Sequence, residues 1–343
     1  MPCKIACEKT YHHIERIKII SEGIQMINQK IFALGALVSV GLLTGCGAST
    51  GKLNSSVSAT SASEATLPTG VPASFSQATT KWSDVSNDGN TVTAQGFTSE
   101  ATFVYNTSTA AAPVIDTTGE VKINYDSSGN ISSLSIINDH VGLTWTDGFK
   151  TNIRGRSLTV TDGDEANGMI YNPEGVRSWD YQTMATWVLT DESRGTGRMG
   201  AISVGNHNAV SIPTTSSATF NGKAEGIYLD NAHNFHGVSA DVVLSANFAS
   251  RVVSFATSNS KIYDLDYQIA DQSKSDLDLT GTFSYSSADN NLTASSLTST
   301  TSSWAGGTSS AKFYGPNAEE IGGVFSIRGP GKEAYEGAFG AKQ

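Results

Sequence analysis

The chain has 343 residues, a formal net charge of −10, 34 glycines and only 8 prolines. So acidic a surface repels a phosphate backbone, which excludes nucleic acid as a partner. The length suits one large or two medium domains.

Residues 1–25 fit neither a leader nor a domain. Met26 opens the stretch MINQK, a compact basic segment placed directly before the apolar run Ile31 to Leu43. Met26 is therefore expected to be the true start, and residues 1–25 an over-extended reading frame. Cys3, Cys7, His12 and His13 fall in that stretch and lack the spacing of a zinc site. The apolar run is too short for a membrane helix, which needs about 20 residues. Its length suits the core of a signal peptide over 26–45, a short buried helix being the other reading. It closes on Leu43-Thr44-Gly45-Cys46, which resembles a bacterial lipoprotein signal in which Cys46 becomes the acylated first residue. Removing residues 1–45 leaves a charge near −12. With Cys46 carrying lipid, no cysteine remains for a disulfide, and stability must come from the core alone.

Residues 46–73 are small and polar without apolar periodicity, as in a disordered tether. Coil statistics give about 25 such residues a reach of roughly 25–30 Å. Gly47 follows Cys46 where an aspartate would mark inner-membrane retention, so by resemblance the destination is the outer membrane.

Residues 74–212 alternate short β-prone runs with Asn, Asp and Gly, and are expected to form one β-rich domain. Val121, Ile123 and Tyr125 share one face of a strand, with Lys122 and Asn124 on the other. The turn at Asp126–Gly129 then reverses the chain into Ile131–Ile137. Residues 213–343 show eight strand candidates, near 217–229, 238–248, 250–257, 277–286, 291–299, 308–314, 320–327 and 334–341. In the second of them Val238, Ala240, Val242, Leu244, Ala246 and Phe248 form the apolar face. Nearly all the candidates are joined by short turns, so the fold class is all-β: a β-rich domain followed by an eight-stranded antiparallel up-and-down barrel with its apolar face inward. Gly222, Gly226, Gly281 and Gly337 are the points where tight curvature is easiest. A membrane barrel needs strands of about 9–11 residues with apolar outer faces. Here the second faces are Ser, Thr, Asp and Asn, which suits a small filled barrel in water.

Two segments carry a more specific signal. Ala311–Ile327 (AKFYGPNAEEIGGVFSI) and the terminal YEGAFGAKQ resemble the closing hairpin and last strand of transferrin-binding protein B-like lipoproteins. Ile202–Tyr228, in which Pro213-Thr214 introduces Ala218-Thr219-Phe220-Asn221-Gly222, is similar to the start of that family's barrel. The resemblance covers roughly Trp179 to Gln343. It implies one lobe, a handle domain over 74–212 packed on a barrel over 213–343. It also implies a single-lobe surface lipoprotein whose relatives bind haem, haemoglobin or complement regulators, or have no known ligand.

His233 and His236 form an H-x2-H loop that offers imidazoles to haem or a transition metal, although isolated loop histidines are usually solvated. His140 and His207 are further candidate axial ligands. Trp145 and Trp179, grouped with Tyr181 and Trp187, are partner anchors if exposed and core or seam residues if not. Arg194 and Arg198 are a partner contact or a mobile turn. Asp162–Gly168 is misaligned for a calcium loop and reads as a turn, and Tyr263–Tyr267 reads as strand polar residues rather than a catalytic dyad. No nucleophile elbow, phosphate loop or metalloprotease helix is found, so no enzyme activity, resident metal or cofactor is expected.

The expected role is capture of a host or environmental ligand, an iron source such as haem or an iron-carrying protein, for hand-over to a TonB-dependent receptor. A lipoprotein translocon would supply surface display. The alternative is a structural or immune-shielding surface protein that binds a host regulator without uptake, and a periplasm-facing role in envelope assembly is the third reading.

Overall fold

The computed structural model describes residues 75, 77, 79–82, 84, 91–104, 114–125, 131–137, 142–145, 150–151, 157–162, 166–171, 179–191, 196–207, 210–263, 272–286, 290–301 and 304–343. The expected signal peptide, Cys46 and the expected tether lie outside the described residues, as do the 126–129 turn and Asp264–Tyr267.

The first nine strands are β1 (Thr91–Val104), β2 (Val114–Tyr125), β3 (Ile131–Ile137), β4 (Gly142–Trp145), β5 (Lys150–Thr151), β6 (Ser157–Asp162), β7 (Ala166–Tyr171), β8 (Gln182–Asp191) and β9 (Thr196–Gly205). They form one antiparallel sheet, the handle, ordered β4-β3-β2-β1-β9-β8-β7-β6-β5. Its core is made by alternate residues: Val92, Ala94, Val121, Ile123, Leu134, Ile136, Trp187, Ile202 and Val204 are all nearly inaccessible, with Phe75 and Trp82 laid against them. Val121 and Ile123 are therefore on the buried face that their spacing predicts. Asn124, on the other face, is buried too, because its amide donates to Ser133 and accepts from Thr91.

The remaining strands are β10 (Ser217–Leu229), β11 (Phe235–Asn247), β12 (Val252–Tyr263), β13 (Gln272–Ser273), β14 (Leu279–Ser284), β15 (Asn291–Ser299), β16 (Ala305–Tyr314), β17 (Glu320–Arg328) and β18 (Ala334–Lys342). Apart from the two-residue β13, these are eight long antiparallel strands in chain order. β18 pairs back onto β10 and β11 pairs with β12, so the cylinder closes. The all-β reading and the eight-stranded barrel hold. β12 runs further than its apolar pattern suggests. Ser258 to Lys261 shows no apolar period, and the pairing with β11 shifts register there, with Asn259 at φ 57°. Leu277, read as the start of a strand, instead ends a 3-10 turn over Ser275–Leu277.

Inside, Phe220, Phe255, Phe283, Phe313, Phe325 and Phe339 are buried to 2% exposure or less. Their rings interlock, with centroids 4.9 Å apart for Phe255–Phe339, 4.8 Å for Phe325–Tyr335 and 5.4 Å for Tyr285–Phe313. The barrel is filled by aromatic side chains. Packing alone requires glycine at 337: a Cβ there would lie 2.3 Å from the Phe325 ring.

Expected outcome: Phe339→Ala, which empties the centre of this stack, lowers stability by about 3–5 kcal/mol, read as the shift in urea midpoint of the full chain.

Candidate functional site

Asp230 organises the β10–β11 turn. Its Oδ1 accepts the backbone N–H of Ala232 and Asn234, both at 2.8 Å. Its Oδ2 accepts from the Asn234 amide at 3.0 Å and meets His236 Nε2 at 3.1 Å. Burial raises the carboxyl's pKa, but the hydrogen bonds from Asn234, His236 and Ala232 outweigh it and hold Asp230 below its ordinary value. The turn carries His233 at φ 68°, its N–H donating to Asp230 carbonyl at 3.0 Å. The Asp230 carbonyl thus holds the strained His233, while the Asp230 carboxylate ties the N–H groups on either side of it.

His236 also stacks on Tyr228, centroids 5.7 Å apart. Tyr228 closes this end of the barrel: its ring packs 5.9 Å from Trp304, and Lys274 Nζ lies 5.7 Å above it. Its hydroxyl donates to Glu333, and burial together with that bond raises the phenol's pKa well beyond its usual range. Neither Tyr228, Trp304, Lys274 nor Glu333 was singled out in the sequence. They come from four separate strand ends, and no local spacing links them.

Handle and barrel meet along β1, β8 and β9 on one side and β10, β17 and β18 on the other. At the turn's end, Ala101, Val188 and Met199 of the handle pack with Ile227, Leu229 and Ala334, and Phe235 lies against them. Arg198, next to Met199, directs its guanidinium to Glu100, with Nε donating at 2.7 Å. The structure therefore brings His233, His236 and Arg198 to the same end of the two domains.

The other candidates divide. Trp179 is 4% exposed in the seam, with Met184, Ala201, Val324 and Ala338. A Cβ at Gly340 would lie 2.6 Å from its ring. It is a seam residue, the second of the two readings its sequence allowed, and leaves no ring for a partner in solution. Trp187 is in the handle core. His207 sits at the far end of β9, its Nδ1 3.2 Å from Gly205 carbonyl and its ring edge-on to Tyr314. Burial, and then Lys312, lower its pKa and favour the neutral imidazole. Trp145 ends β4, and only its backbone is described. His140 and Arg194 lie outside the described residues. Among the described residues no group of three or more His, Cys, Asp or Glu gathers as a metal site.

At that far end the seam is polar. The Asp180 and Tyr181 N–H groups donate to Glu320 at 2.6 and 3.2 Å, and Gln182 Nε2 donates to the carbonyls of Ile321 and Ala341 at 3.1 and 3.3 Å. Burial pushes Glu320 up to about 7 despite the two N–H groups.

Residues 212–343 match the model of a family described as the C-lobe and N-lobe beta barrels of Tf-binding protein B. The barrel domain belongs to the transferrin-binding protein B-like family. Among solved structures, a Trp-to-Ala mutant of transferrin-binding protein B from Haemophilus parasuis Hp5 is similar, at 14% identity and TM-score 0.40, over 72% of this chain and 45% of that one. Intact Ap-TbpB, with N and C lobes, is similar at 12% identity and TM-score 0.38, over 72% and 46%. The isotype 1 protein of serogroup B Neisseria meningitidis is similar at 14% identity and TM-score 0.34, over 66% and 52%. The chain spans about half the length of these structures. No curated protein matches it.

Expected outcome: Asp230→Ala removes four hydrogen-bond acceptor contacts of a partly exposed carboxylate and loosens the turn by about 1–2 kcal/mol. Amide exchange should accelerate at residues 232–236 and stay unchanged in β14 and β15; equal protection in both forms would show that the turn does not need Asp230.

Proposed function

We propose that this chain is a lipid-anchored outer-membrane protein, displayed on the cell surface, that captures a host or environmental ligand. The reading rests on the match of residues 212–343 to the transferrin-binding protein B barrels. The structures similar to it carry names that state transferrin binding. An iron source, haem or an iron-carrying protein, is the ligand class proposed, with hand-over to an outer-membrane TonB-dependent receptor and display through a lipoprotein translocon. Recognition is by binding, with no covalent step.

The filled interior bears on where such a ligand would sit. Among the described residues the barrel lumen is occupied by interlocked phenylalanines and offers no interior site, so contact is assigned to loops and outer faces, as at protein–protein interfaces. The end bearing the 230–236 turn is the proposed contact region, since loops of the barrel and Arg198 of the handle converge there. Lipid anchoring rests on Leu43-Thr44-Gly45-Cys46.

Two measurements test this reading. Cells given labelled palmitate should incorporate it into the wild-type protein and not into Cys46→Ser, and protease added to intact cells should remove the wild-type domain. A protein that stays protected in intact cells is not displayed. Affinity capture with the immobilised domain from serum and from growth medium should enrich an iron-carrying protein, or haem should show a shifted Soret band. Enrichment of a complement regulator without any iron carrier would instead establish immune shielding.

A further inference from the structure

The seam contains a carboxyl that its packing does not require. Along β18, the residues turned to the handle are Ala334, Glu336, Ala338 and Gly340. Ala338 packs with Phe97, Met184 and Ala201, and Ala334 packs with Ala101, Val188 and Met199. Glu336 lies between these two apolar clusters at 0% exposure. On β1 the same spacing recurs: Phe97 belongs to one cluster, Ala101 to the other, and Ser99, also at 0% exposure, lies between them. Ser99 and Glu336 thus occupy matching places in the two facing walls. Glu336 Oε1 accepts from Ser326 Oγ of the neighbouring strand. Glu336 Oε2 and Ser99 Oγ are both buried and have no other partner.

We propose that Glu336 is a proton-controlled latch between barrel and handle: as a neutral acid it donates across the seam to Ser99, and as a carboxylate it loosens the contact. Ser99 Oγ can pair with Oε2 in either state, accepting from the acid or donating to the carboxylate. The two states differ in that the carboxylate leaves a charge between two apolar clusters, which burial disfavours more than Arg328 relieves it. The groups facing Glu336 are few. β17 supplies Ser326 and Arg328, β1 supplies Ser99 and Glu100, and β9 supplies Arg198, which is engaged by Glu100. β10 supplies Glu225, which accepts from Ser239 and Tyr263. The titratable side chains of β11, His236 and Asp241, meet Asp230 and Lys223. The described side chains of β8 are uncharged. Burial pushes Glu336 up to about 8, with Ser326, Arg328 and Ser99 opposing and Glu100 reinforcing.

The folded seam therefore holds a proton that an open seam, at the ordinary glutamate value of 4.5, releases. Closure is strongest below the open-state value, and it weakens as the pH rises to about 8.

The test is amide exchange of β1 and β9 around Ser99 and Ala201 in the full chain from pH 5 to 9, corrected for intrinsic rates. The opening constant should rise by up to about tenfold per pH unit and level off above pH 8. Glu336→Gln, a permanently neutral side chain, should flatten that rise and hold the seam closed at high pH. A wild-type constant independent of pH, or a Glu336→Gln protein that keeps the slope, overturns the proposal. If Glu336→Gln does not fold, the carboxyl resonance of Glu336 in labelled wild type decides: titration near 8 supports the latch and titration near 4.5 overturns it.

Discussion

Two adjacent strands, β17 and β18, are buried on both faces at every position but the last. Inward they complete a cylinder of aromatic side chains, and outward they are the floor on which the handle sheet rests. Strands in that position cannot follow the usual alternation of apolar and polar residues. Their outward positions must be small, so that two sheets can approach, or polar with a partner on the other wall. Ala334, Ala338 and Gly340 meet the first condition and Glu320 meets the second, while Ser326 donates to Glu336 within the barrel wall.

The polar members of that wall matter because a water-excluded seam magnifies any unpaired group. Glu320 takes the N–H groups of Asp180 and Tyr181, just where the chain turns into β8. Gln182 then bridges to the carbonyls of two barrel strands. Such contacts fix the register of one domain against the other. Apolar packing of Phe97, Val324 and Ala338 provides the area without selecting a unique alignment. Loops carried by two domains keep a fixed spacing only when the seam between them does not slide.

Much of this was legible from residue order. Barrel strands with a single buried face, such as β11, show strict alternation because water stands on the other side, and Val238 to Phe248 identifies its inner row without help. β12 was underestimated because the register shift near Asn259 interrupts the period, and a bulge has no compositional signature in Ser258 to Lys261. Asn124 was placed on a polar face and is nonetheless buried, since Thr91 and Ser133 satisfy its amide. In the candidate site, the Asp230–His236 turn was visible as a loop with two histidines. The role of Asp230 as acceptor for the whole turn was not visible, nor was the stacking of His236 on Tyr228.

Chain order alone determined the all-β class, the inward face of the barrel and the near-position of its eight strands. These depend on a two-residue period and on turn residues, both of which are local. Tertiary structure alone decided that Trp179 is a seam residue, that Arg198 answers Glu100, and that Glu336 faces Ser99 between two apolar clusters. Arg198 and Glu100 stand 98 positions apart, and Trp179 from Gly340, like Ser99 from Glu336, further still, so burial and charge there are set by distant chain and no periodicity in either segment records it.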